Sequence, residues 1–125
     1  MRIFKTSVFA RWANKKHVTD AALRQAIREV EAGLVDAELG AGLCKKRIPM
    51  PGRGKRGGGR CILAFRARRR AYFLHGFAKG ARDNVTRRER EALRRLAREL
   101  LGYSEAGIRK ALDEGVLIEV DSDDE

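Results

Sequence analysis

Lys55 lies in Gly52-Arg53-Gly54-Lys55-Arg56-Gly57-Gly58-Gly59-Arg60, where four cations are spaced by five glycines. A lysine crowded by Arg53, Arg56, Arg60 and Arg47 has its charged form disfavoured. That makes a neutral amine accessible as a proton acceptor. Lys79, close in sequence to Arg82, is a second lysine of this kind, and His75 is the one nearby side chain that ordinarily titrates near neutrality. These residue types suit metal-free cleavage of RNA, which carries its own nucleophile. The 2′-OH attacks the adjacent phosphate, so its proton must be removed, the charged phosphorane stabilised and the leaving 5′ oxygen protonated. Arginines such as Arg60 and Arg82 supply the middle requirement directly. His75 is read either as the proton donor or as a core histidine on a sheet face shared with Phe73 and Phe77.

Other chemistries fit poorly. The stretch from Leu43 to Arg90 holds 16 of the 28 Lys/Arg residues and only two acids, Asp83 and Glu89. A metal-dependent nuclease needs more carboxylates than that. No Ser-His-Asp ordering and no phosphate-binding loop occurs, because Gly52-Arg53-Gly54-Lys55 is too short and lies between strands. No metal and no organic cofactor is expected. The same segment carries about +14 while the rest of the chain sums to about −3, so the net +11 is a localised field. Nucleic acid is its default partner. Lys45 and Arg47 share one strand face, and Arg66, Arg68, Arg69 and Arg70 cluster at a turn. Together with Arg53 and Arg56 these are the expected RNA or ribosome contacts, with plain solvation the alternative.

The elements that must position these groups follow from periodicity. A short strand, Arg2 to Lys5, precedes a helix with Val8, Phe9, Trp12 and Ala13 on one face. Thr19 reads as the N-cap of a second helix carrying Leu23, Ile27, Val30 and Leu34, with Gly33 as its stop. Together these predict a helical hairpin with one buried side. Leu43 to Ile48 is a strand, and Pro49 and Pro51 forbid a helix beyond it. The glycine-rich PGRGKRGGG reads as a loop. Gly59 to Arg66 and Arg70 to Phe77 form two further strands joined by a turn at Ala67-Arg68-Arg69. Thr86-Arg87-Arg88-Glu89 is a capping box before a Leu93, Leu96, Ala97, Leu100, Leu101 stripe. Ser104 caps a last short helix ended by Gly115, and Val116 to Val120 is an edge strand. The fold class is α+β: a helical hairpin packed on a small, mainly antiparallel sheet, with C-terminal helices.

At 125 residues the chain is expected to be one domain, residues 1–120, with an acidic and disordered tail at 121–125. No apolar run approaches a membrane span, and Lys5 and Arg11 interrupt any export signal, so a cytoplasmic chain without membrane contact is expected. Cys44 and Cys61 are far apart and read as reduced core residues.

The segments MRIFKTSVFARWA, KKRIPMPGRGKRGGGRCILAFR and above all FLHGFAKGARDNV resemble the RelE-type toxins of bacterial toxin–antitoxin modules, in the HigB-like branch. The resemblance runs from Met1 to about Val120, and its most specific part is the K-x-x-R-D-N element, Lys79 to Asn84. It implies a RelE/ParE-like fold and ribosome-dependent cleavage of mRNA in the decoding site. Lys55 and Arg60 match the loop and strand positions of the family's basic active surface, and Lys79 and Arg82 the turn after the last sheet strand. Two departures stand out. Gly59 replaces a larger, often aromatic residue, and Ala81 replaces an acidic one. A base-stacking ring would then have to come from Tyr72 or elsewhere.

The resemblance also implies partners: mRNA, the ribosome and its rRNA, and a cognate antitoxin of helix-turn-helix type. Operator DNA would be bound only through the toxin–antitoxin pair. Two rivals remain open at this stage. One is a ParE-like relative that poisons DNA gyrase without nuclease chemistry. The other is a non-catalytic RNA- or ribosome-binding module.

Overall fold

Cys61, Ile62, Leu63 and Ala64 are all buried, and they alternate between two separate hydrophobic clusters. A strand apolar on both faces must lie inside a sheet covered from both sides. The computed structural model describes residues 1–51, 54–78 and 85–120, apart from the side chains of 54–57, and shows this arrangement. Six strands pair in the order β2-β3-β4-β5-β1-β6, with β1 Arg2–Thr6, β2 Ala37–Gly40, β3 Leu43–Met50, β4 Gly54–Arg66, β5 Arg70–Ala78 and β6 Leu117–Glu119. Only β1 and β5 pair in parallel; the other pairings are antiparallel.

Helices α1 (Ser7–Lys15) and α2 (Asp20–Glu31) bury Phe9, Ala13, Leu23, Ile27 and Val30 against one sheet face with Ile48, Cys61, Leu63 and Phe73. Helices α3 (Arg87–Leu101) and α4 (Glu105–Asp113) cover the other face through Ala97, Leu100, Ile108 and Ala111, against Phe4, Ile62, Ala64 and Tyr72. The expected caps are in place. Thr19 accepts from the Ala22 amide, Thr86 and Glu89 satisfy each other's backbone N–H groups, and Ser104 accepts from the Gly107 amide. The described residues form a mostly antiparallel sheet with four helices, and the chain opens on a strand, β1.

Three sequence expectations change. PGRGKRGGG is not all loop, because Gly54 onwards extends β4 and pairs with Met50. Backbone pairing outweighs the entropic cost of glycine in a strand. An additional strand, β2, precedes β3 and forms a sheet edge. Val8 and Leu34, placed on buried helical faces by periodicity, are exposed. The tail 121–125, expected to be disordered, and Asp83 and Asn84 lie outside the described residues.

Gly76 on β5 faces Trp12 of α1 so closely that a Cβ there would come within 2.3 Å of the indole. The indole ring, half-buried against the core, has no free end to swing away. Gly76→Val is therefore expected to push α1 off the sheet and cost about 1–3 kcal/mol of stability, read by urea unfolding. The expectation fails if the variant keeps the wild-type midpoint.

Candidate nucleic-acid interface

Strict alternation along β5 would put Phe73, His75 and Phe77 on one face. The structure corrects this. Leu63 pairs with Phe73 and Ile62 with His75, so Leu74 is an extra residue on β5. Beyond this bulge the faces switch: Phe73 packs in the α1/α2 cluster and Phe77 in the α3/α4 cluster. Gly76, opposite Cys61, turns to Trp12. Directly opposed residues share a face, so His75 lies on the face of Ile62, and Arg60 on that of its partner Phe77. Bulges commonly re-aim a side chain in this way. The His75 and Phe77 ring centroids are 6.0 Å apart.

Arg47 is directly opposite Arg60, which adds a third cationic or titratable group to this face. Lys45, opposite Ile62 and half-buried, adds a fourth. Arg60 and His75 are diagonal neighbours across the ladder, roughly 7–8 Å apart. Two arginines face to face repel, and the structure answers with Asp36. Its Oδ2 lies 3.2 Å from Arg47 Nε and 3.4 Å from Arg60 Nε. Asp36 is itself fixed by its amide, which donates to the Lys45 carbonyl at 2.8 Å. Arg60 Nη1 also donates to the Gly59 carbonyl at 3.2 Å, and only a tenth of the Arg60 side chain is exposed. Among the described residues the guanidinium is thus held on two sides, by Asp36 and by the Gly59 carbonyl. Sequence reasoning missed Asp36. Its only signal was an acid just ahead of a strand that periodicity did not reveal.

The remaining candidates divide. Arg53, Lys79 and Arg82 lie outside the described residues, as do the side chains of Lys55 and Arg56, whose backbone belongs to β4. Arg66, Arg68 and Arg69 are exposed at the β4–β5 turn, six residues along β4 from Arg60, or about 20 Å. Arg70 is committed to the fold: Nη1 donates to the Tyr103 carbonyl at 2.6 Å and Nη2 to Glu105 at 2.8 Å. The structure therefore brings Lys45, Arg47, Arg60 and His75 together and sets the Arg66–Arg70 cluster apart.

Base stacking on Tyr72 does not fit the structure. Tyr72 is fully buried and stacked on Phe4, with centroids 5.3 Å apart. Gly59 points to Met50 and Trp12, so a ring there would enter the core on the face away from Arg60.

Cys44 and Cys61 are both buried and free. Burial pushes the Cys44 thiol up to about 12, and the fully enclosed Cys61 higher still. The thiolate is the reactive form. Both cysteines should therefore resist iodoacetamide at pH 8 in the folded chain and alkylate fully in urea, counted by intact mass. Rapid labelling of the native protein would contradict this.

Among the described residues no helix is long and apolar enough to cross a membrane. Residues 1–120 match the family model described as the RelE toxin of the RelE/RelB toxin–antitoxin system. No curated protein matches the chain.

Proposed function

This chain belongs to the RelE toxin family, and from that premise we propose that it is a ribosome-dependent mRNA endoribonuclease of a toxin–antitoxin module, in the HigB-like branch. The observation that carries this reading is the β5 bulge, which sets His75 diagonal to Arg60 on the face that also holds Arg47. Lys55 takes the 2′-OH proton, with Lys79 the second candidate. The 2′ oxygen then forms its bond to phosphorus and the bond to the 5′ oxygen breaks. Arg60 and Arg82 stabilise the phosphorane, and His75 protonates the departing 5′ oxygen. The products are a 2′,3′-cyclic phosphate and a 5′-hydroxyl, so protons and bonds balance without a metal. The roles of Lys55, Lys79 and Arg82 rest on the sequence resemblance.

The substrate is translated mRNA, presented with rRNA in the decoding site, in the cytoplasm. The antitoxin, of helix-turn-helix type, opposes the basic surface or blocks access to the ribosome, and the pair binds its operator DNA. Regulated expression followed by primer extension tests the reading. Cuts within translated codons are expected. Growth arrest with DNA damage and intact mRNA would replace it with gyrase poisoning. Ribosome binding without cuts would leave only a binding module.

A further inference from the structure

The β4–β5 turn holds a conformation that its sequence does not favour. Arg68 has φ +63°, in the left-handed region where glycine or asparagine is the cheap choice. Beside the turn is a cavity of about 390 Å³ lined by Arg66, Arg69, Arg70, Leu101, Gly102 and Tyr103. Arg70 is locked in its wall by the Tyr103 carbonyl and Glu105, and Glu105 also pairs with Arg2. Among the described residues no carboxylate pairs with Arg66 or Arg69, and both are exposed. Tyr103 is half-buried, and burial, followed by the nearby Glu99 to which its hydroxyl is hydrogen-bonded, raises that hydroxyl above its ordinary value. The cavity thus offers unmatched guanidiniums, an aromatic ring and room for a small ligand.

We propose that this cavity is an RNA-anchoring pocket that takes one unstacked nucleotide, with its phosphate on Arg66 and Arg69 and its base against Tyr103. Arginine grips phosphate in a fork, and any base can stack on a ring, so the pocket recognises RNA without reading its sequence. It lies about 20 Å along β4 from Arg60, so it holds RNA other than the scissile diester. The inference rests on the reading of the chain as a toxin acting on RNA. It adds a second contact that is spatially separate from the chemistry.

The test is an NMR titration of the 15N-labelled full chain with uridine 5′-monophosphate and, separately, inorganic phosphate, following the Gly102 and Tyr103 amides. The nucleotide should bind about tenfold or more tightly than phosphate. Arg66→Ala with Arg69→Ala should abolish both titrations. Tyr103→Leu should reduce nucleotide affinity to that of phosphate, with circular dichroism confirming the fold. Equal affinity for nucleotide and phosphate, or an unperturbed Gly102 and Tyr103, overturns the pocket.

Sedimentation with vacant ribosomes then identifies the RNA. A tenfold loss in the double arginine variant assigns the pocket to rRNA. A loss seen only with mRNA-programmed ribosomes assigns it to mRNA, and no loss with either overturns the proposal. Cleavage in a translating extract is scored separately. Nucleotide binding without mRNA cuts keeps the pocket and removes the ribonuclease reading; cuts without nucleotide binding do the reverse.

Discussion

Arg60→Ala is expected to lower mRNA cleavage in a translating extract by about 10²–10³-fold, the usual loss when one preorganised donor to a developing oxyanion is removed. Ribosome binding should change little, because an arginine with only a tenth of its side chain exposed adds little to the long-range attraction that gathers RNA. The prediction follows from how Arg60 is held. Asp36 and the Gly59 carbonyl fix the guanidinium before any RNA arrives, so no reorganisation is needed when charge develops on the phosphorane. Arg60→Lys should fail nearly as badly, since an ammonium cannot meet Asp36, the Gly59 carbonyl and a phosphate oxygen in one plane. Asp36→Asn tests the same idea from the other side. It keeps the shape but leaves Arg47 and Arg60 opposed without a carboxylate between them, and roughly tenfold slower cleavage is expected. Wild-type cleavage by Arg60→Ala together with weakened ribosome binding would make Arg60 an anchor and move the chemistry elsewhere.

Periodicity and capping carried most of the fold, and the reasons for its failures are specific. Thr19, Thr86 and Ser104 announce helix starts because each side chain meets a local backbone demand that any tertiary setting leaves in place. The β3–β4–β5 meander was legible because both sheet faces are apolar. β2 was not, since Ala37-Glu38-Leu39-Gly40 is too short to show a period. It is held by long-range contacts instead, such as Arg94 Nε donating to the Leu39 carbonyl at 2.6 Å. At the site, the cations could be counted from sequence but not sorted. Whether His75 sits with Phe73 or with Arg60 depends on one extra residue, Leu74, in the pairing of β5 with β4. A bulge of that kind leaves no mark on hydrophobicity when Leu74 is itself apolar and buried. Asp36 stayed hidden for a related reason, because its partners come from two other strands.

Lys46 shows how far a basic run can mislead. In Lys45-Lys46-Arg47 the middle cation turns inward, and its Nζ meets Glu29 Oε1 of α2 at 2.7 Å with 5% of the Lys46 side chain exposed. This pair has no place in RNA binding; it joins α2 to β3 beneath the helix. Breaking a buried pair strands the partner charge, which typically costs about 3–5 kcal/mol. The two single variants should differ in a predictable order. Glu29 retains 18% exposure and keeps the hydrogen bond from Gln25 Nε2 after Lys46→Met, so that loss belongs near 3 kcal/mol. Glu29→Leu leaves an ammonium almost sealed from water and should cost more. The double variant should recover much of the loss, because two apolar side chains bury neither charge. Urea unfolding of the four proteins closes the cycle, with a coupling of at least about 1 kcal/mol expected between the two positions. Additive losses would mean that the lysine and the glutamate act independently, and α2 would then be held on the sheet by its apolar face alone.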